Sequence, residues 1–239
     1  MMLLQAYRRA RVAAKQLLMV EPRVRRELRM PLEFHGNDYC GWSIPHGVLR
    51  RDSVVVDVGL GEDISFSKSL LDRYQCTVHG FDPTPRAIAY VKSLRCDNFH
   101  LHEYGVAAQR GTATFYLPIN EAHVSGSLIK ESHVGNEQIQ VQLICVSDIF
   151  EMVGAERISL LKLDIEGAEY DLLASPDFAS CASRIDVICI EFHHRWKNYG
   201  PGATLAAVAT LNSLGFRCAW RAAATNEEFL FLNSRSLSC

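Results

Sequence analysis

The densest group of ionisable residues falls in the segment 160–173, LLKLDIEGAEYDLL. Lys162, Asp164, Glu166 and Glu169 crowd one strand-to-helix turn with Gly167 inside it. The two-residue period of a strand puts Lys162 and Asp164 on the same side. Glu166 and Glu169, three apart at a helix start, share a face. Acidic residues there complement the helix dipole, but that does not account for a lysine inside an apolar run. Charged groups at the end of a buried strand are costly unless they are solvated, paired or used. A second group follows at Glu191-Phe192-His193-His194. Glu191 and His193 alternate onto one side, and Glu191 is expected to pair with Lys162 from the neighbouring strand. A histidine at a strand end is often a hydrogen-bonded structural residue, but its unperturbed pKa also suits a general base. Asp164, Glu166 and His193 are therefore candidate functional residues. Oxygen ligands at Asp164 and Glu166, with His193, would suit a divalent cation. Their spacing matches no recognised metal motif, so no metal is expected.

A second site lies upstream, at residues 54–66, VVVDVGLGEDISF. Apolar β-formers carrying Asp57 run into Gly59 and Gly61, the pattern of a buried parallel strand that turns tightly into a helix. Glycine there lets backbone approach a flat ligand. Asp82, in HGFDPTP, follows the next strand about two dozen residues later, where a carboxylate can hold both hydroxyls of a ribose. A dinucleotide would want a third glycine for its pyrophosphate, but Ile64 stands there after Glu62 and Asp63. Two carboxylates repel a pyrophosphate and suit a ligand bearing a sulfonium and an ammonium. After the third strand, Gly105 permits close approach and Val106 can line an adenine pocket. The candidate cofactor residues are thus Asp57, Gly59, Gly61, Glu62, Asp63, Asp82, Gly105 and Val106.

These residues must be held by alternating elements. Strands are predicted over 54–58, 77–81, 99–103, 159–163 and 187–192, with helices over 64–74, 85–94, 168–174 and 204–214 between or after them. Alternating strands at 111–117 and 138–146 read as half-exposed, with a short helix capped by Ser147-Asp148. The polar stretch 118–137 reads as a long loop, and Ser125, Ser127 and His133 within 120–136 are expected to touch the acceptor. A closing hairpin is expected at 216–220 and 228–232. Such βα units give a mostly parallel sheet with helices on both faces and ligands at the carboxyl ends of the strands.

The 239 residues are enough for one large α/β domain, and 48% apolar content is enough for a core. A net charge of −2 argues against a dedicated nucleic-acid binder. The eight cysteines show no C-x-x-C spacing and three lie in or beside apolar runs, as reduced thiols of a cytoplasmic protein do. The first 30 residues are basic, and 2–20 reads as an amphipathic helix. It is a solvated face on a packed helix, a membrane-surface helix or an organelle-targeting segment.

The four stretches VVVDVGLGEDISF, HGFDPTP, HEYGVA and KLDIEGAEYDLL resemble the FkbM family of S-adenosylmethionine-dependent methyltransferases. The similarity runs from about residue 39 to near 232. It implies a class I, Rossmann-like methyltransferase sheet of seven strands with a C-terminal antiparallel hairpin, over a domain spanning 39–239. Residues 1–38 would be a basic helix and connector outside it. The resemblance also implies S-adenosylmethionine as cofactor, with Glu62, Asp63 and the glycine turn at the methionine moiety, Asp82 at the ribose and Gly105-Val106 at the adenine. The reaction implied is O-methylation of a hydroxyl on a small molecule or glycan, with substrate over the catalytic residues Asp164, Glu166 and His193 and with Asp164 or His193 as the base. Nucleic acid is not the expected acceptor, since DIEG stands where amino-methylating DNA enzymes carry an Asn/Asp-Pro-Pro-aromatic turn. The alternative is a non-catalytic, membrane-associated nucleoside binder of the same fold.

Overall fold

The computed structural model describes residues 2–118 and 134–237. Its centre is a seven-stranded sheet of order β11 (Phe216–Arg221), β12 (Glu228–Asn233), β10 (Ile185–Glu191), β9 (Ile158–Leu163), β3 (Val54–Val58), β4 (Thr77–Phe81), β5 (Phe99–His102). Strands β3, β4, β5, β9 and β10 run parallel. Strands β11 and β12 close the sheet as an antiparallel hairpin. This is the expected class I methyltransferase sheet. The order reverses at β3, whose neighbours are β4 and β9, and a crevice forms outside the carboxyl ends of the strands at such a switch point.

The parallel strands are apolar on both faces, as burial under two helix layers requires. Val55, Val78, Leu160 and Val187 pack beneath Phe66 and Leu70 of α2 (Ser65–Tyr74). Val56, Val58, Leu161, Leu163 and Ile188 face the other way. They meet Ile149 of α4 (Val146–Val153), Leu172 of α5 (Glu169–Ala174), Phe178 of α6 (Pro176–Cys181) and Leu211 of α7 (Pro201–Ser213). Helix α3 (Pro85–Ser93) follows β4 and begins on Pro85, whose missing N–H costs nothing in a first turn. Asp63 accepts from the Ser65 N–H at 2.7 Å, just before α2. Asp148 caps α4 by accepting from the Cys145 N–H at 2.8 Å, so that helix starts one residue before the predicted Ser147.

Two features differ from the sequence reading. The stretch before β3 holds a hairpin, β1 (Leu32–His35) and β2 (Trp42–Pro45), where the sequence suggests no strand. Its strands are too short to show a period, yet Trp42 and Ile44 are buried against α2 and β3. A separate three-stranded sheet joins β6 (Gly105–Val106), β7 (Gly111–Pro118) and β8 (Val134–Ile144). Strand β8 therefore begins inside the predicted loop 118–137. Ser125, Ser127 and His133 lie outside the described residues.

Candidate active site

The glycine turn after β3 is held from two directions. Gly59 has φ +82, and a Cβ there would sit 1.7 Å from the Asp164 carbonyl oxygen. The residue that demands glycine is thus the adjoining β9 turn, not only a ligand. Asp82 holds the same turn from the other side. One of its oxygens accepts from the Leu60 and Gly61 N–H groups, both at 3.0 Å. The other accepts from the Thr84 N–H at 2.8 Å and the Thr84 hydroxyl at 2.6 Å. The carboxylate predicted to grip a ribose is fully engaged with protein donors. Burial pushes its pKa up against those four bonds.

Beneath this turn lies a buried ion pair. Asp57 and Lys162 are in register across β3 and β9. Lys162 Nζ lies 3.1 Å from Asp57 and 3.8 Å from Asp164, and donates to the Gly59 carbonyl at 3.0 Å. The Ser67 hydroxyl of α2 completes Asp57 at 2.6 Å. Burial alone would lower the lysine pKa, but the two carboxylates drive it up. Two sequence expectations change here. Asp57 faces α2 and Lys162 and is not among the residues lining the cavity. Glu191 is not the partner of Lys162, because the residue opposite Lys162 on β10 is Cys189, two positions earlier.

Asp164, Glu166, Glu191 and His193 converge where β9 and β10 end. His193 Nε2 lies 3.1 Å from Glu166 and 4.0 Å from Asp164, and Nδ1 lies 3.2 Å from Glu169. Glu169 is fully buried and also accepts from the Ile165 N–H at 2.8 Å. The turn between them is left-handed at two successive residues, Glu166 (φ 53) and Gly167 (φ 94). A non-glycine residue held there stores strain, a feature concentrated at functional sites. Burial pulls the His193 pKa down, yet Glu169 and Glu166 raise it well above the usual value. Burial raises Asp164 to about 6, with Lys162 and His193 opposing and Glu166 assisting. Burial, with Asp164 beside it, pushes Glu191 well up. Asp164, Glu191 and His193 each present one ligand atom within 4.8 Å of the others, the arrangement among the described residues able to hold a cation.

A cavity of about 510 Å³ opens over the carboxyl ends of β3, β4 and β9. Of the residues singled out from the sequence, Gly59, Gly61, Glu62, Asp63, Asp82, Gly105, Val106, Asp164 and Glu166 line it. His193 stands behind Asp164 and Glu166 and does not line the wall. Glu62 is paired with Arg86 of α3, and Asp63 with Asn37 at 2.7 Å. The sequence reading misses Tyr39 and Cys40 from the β1–β2 loop and Phe115 and Leu143 from the small sheet. No motif marks them, because they reach the cavity from elements outside the βα repeat. Burial pushes the Cys40 thiol up to about 12. Trp196 packs against the His193 ring at a 59° tilt, with centroids 4.7 Å apart, and the Tyr199 hydroxyl donates to the Gly167 carbonyl at 2.7 Å.

The profile of the methyltransferase FkbM domain matches residues 57–218. The chain belongs to the FkbM methyltransferases. Its methyl donor is S-adenosylmethionine. The methyltransferase is 26% identical over 194 residues to Methyltransferase 1 of Beauveria bassiana, covering 70% of this chain and 74% of that protein. It is 27% identical over 141 residues to the 2-O-methyltransferase NoeI of Sinorhizobium fredii, covering 52% of this chain and 58% of that protein. Among solved structures, Aeropyrum pernix fibrillarin in complex with natively bound S-adenosyl-L-methionine aligns with TM-score 0.45 and 8% identity. That alignment covers 89% of this chain and 85% of the other. The methyltransferase cavity fits the donor. Its acidic side, with Glu62 and Asp63, could hold cationic groups. Its apolar side, with Phe81, Val106, Phe115 and Leu143, could hold an aromatic base.

Proposed function

We propose that the methyltransferase methylates a hydroxyl group on a small-molecule or glycan acceptor, with Asp164 as general base. The carrying observation is Asp164 itself, a carboxylate on the cavity wall with a pKa of about 6. At neutral pH it is mostly ionised, yet basic enough to take a proton as a hydroxyl attacks. The sequence leaves the base open between Asp164 and His193. The ion pairs at His193 favour Asp164, because an imidazole clamped by Glu166 and Glu169 stays protonated and cannot accept. His193 instead steadies the carboxylates around it.

S-adenosylmethionine supplies a methyl group already activated by its sulfonium. The chain's own task is to position the acceptor hydroxyl and remove its proton. Glu62 and Asp63, with the turn at Gly59 and Gly61, serve the methionine end. Gly105 and Val106, joined by Phe115 and Leu143, serve the adenine. Asp82 shapes the floor between them by fixing the Leu60 and Gly61 amides. The name of the Sinorhizobium relative, a 2-O-methyltransferase, supports a hydroxyl acceptor. The free cysteines, five of them buried among the described residues, support a reducing compartment such as the cytoplasm.

Calorimetric titration with S-adenosylhomocysteine, with NADH as control, tests the cofactor site. Micromolar binding is expected for the first and none for the second. Asp82→Ala should lose that binding as its turn loosens. Labelled-methyl transfer to hydroxylated metabolites and oligosaccharides then tests the reaction. Asp164→Asn should keep S-adenosylhomocysteine binding and lose about 10²-fold or more in turnover. A folded protein that ignores S-adenosylhomocysteine, or an Asp164→Asn variant with full turnover, would overturn the reading.

A further inference from the structure

Helix α1 (Met2–Leu17) turns its apolar side away from the protein. Among the residues of this helix whose side chains are described, Val12 alone is buried. The helix is held at its C-terminal end. Gln16 donates to the Pro22 carbonyl at 2.9 Å and to Asn226 at 3.3 Å, and Lys15 lies 3.5 Å from Glu21. At about 100° per residue, Tyr7, Ala10, Ala14 and Leu17 fall on the side opposite Val12. Tyr7 is 66% exposed and Leu17 79%, and Leu18 and Met19 continue the surface at 73% and 84%. Arg11 borders this apolar stripe, while Arg8, Arg9 and Lys15 fall on the opposite, polar face of the helix, and the helix carries no acidic residue.

An apolar stripe of this kind marks an interaction surface. Its charge selects the partner. A second copy of the helix would add four more basic residues and offer no acidic residue to pair with them. An anionic bilayer surface neutralises them and takes up the apolar side chains, and a tyrosine ring suits the headgroup level. A 16-residue helix with this many charges lies in the interface plane and does not cross it. No helix among the described residues is long and apolar enough to cross a membrane. We propose that α1 docks the methyltransferase on a membrane rich in anionic phospholipid. The dock is tied to the catalytic region. Glu21, just beyond α1, accepts from His194 at 2.8 Å and Arg195 at 2.9 Å, the residues that follow His193. A docked helix therefore holds the cavity beside the lipid surface.

The full chain is sedimented with vesicles of phosphatidylcholine alone and of phosphatidylcholine mixed with phosphatidylglycerol. Binding to the mixed vesicles should be about tenfold stronger, and should weaken as salt is raised. Leu17→Glu/Leu18→Glu should reduce it about tenfold with an unchanged melting temperature, since neither side chain touches the core. Should that variant fail to fold, Arg8→Gln/Arg9→Gln/Arg11→Gln should abolish the preference for the anionic vesicles. Equal binding to the two vesicle types, undiminished binding by the variants, or helix-dependent self-association without vesicle binding would overturn the proposal.

Discussion

Lys162 keeps its ammonium at 2% side-chain exposure because Asp57 lies 3.1 Å away and the Gly59 carbonyl accepts its proton at 3.0 Å. The same ammonium, 3.8 Å from Asp164, limits how far burial raises that carboxylate. Two expected outcomes follow at the scale of these residues. The rate should fall as pH drops through about 6, because a protonated Asp164 cannot accept a proton. Lys162→Met should move that limb to higher pH, since it removes a cation that favours the ionised form. It should also cost about 3–5 kcal/mol of stability by stranding Asp57 in the interior. A pH–rate profile and a denaturant titration of the two proteins check both. A limb that stays in place would mean that another group titrates.

At the scale of elements, the turns after β3 and β9 form one unit. Gly59 fits only because it has no Cβ to strike the Asp164 carbonyl. Gly59→Ala should therefore disturb both turns together. The expected result is a loss of several kcal/mol in a denaturant melt, with S-adenosylhomocysteine affinity lost even where the protein remains folded. The βα repeat was legible because buried parallel strands are continuous apolar runs, broken by the residues at their carboxyl ends. The catalytic group was legible for the same reason, since a lysine within LLKL has no ordinary reason to be there. Pairing was not legible. Which carboxylate meets Lys162 depends on strand register, and the register puts Asp57 opposite it and Glu191 two residues too far. Tyr39, Cys40, Phe115 and Leu143 were missed for a different reason. Their short hairpin and side sheet carry no period of their own, and they gain meaning only when folded over the cavity.

Across the whole molecule, Glu21 ties the chain's beginning to its last third. Its carboxylate takes bonds from His194, Arg195 and Asn226, and Lys15 lies beside it. Burial would raise its pKa, but those bonds bring it down to about 2. The stability it adds is complete above its unfolded value near 4.5 and fades as pH falls toward 2. A separate acid-sensitive cluster sits at the β4–β5 edge, where His79 lies 3.0 Å from His102 and stacks on His100. Burial and the two neighbouring imidazoles lower His79 to about 4. Its contribution is complete above about 6.5 and is lost between there and 4. Thermal melts should thus decline in two stages on acidification, and Glu21→Gln should shrink the lower one, leaving the part due to Asp63 and Asp148. A single decline unchanged by that substitution would count against the Glu21 network.

Cys40 sits in the cavity wall with its thiol pushed up to about 12. At pH 8 only about one molecule in ten thousand carries the thiolate there. Iodoacetamide should therefore modify Cys40 slowly, at a pace set by how little thiolate it carries. A ligand seated against that wall should slow the modification further. Cys76, Cys145, Cys181, Cys189 and Cys218 are buried and should be alkylated only on global unfolding. Mass-resolved alkylation thus offers two clocks in one unlabelled protein, one reading whether the cavity is filled and the other the loss of the fold.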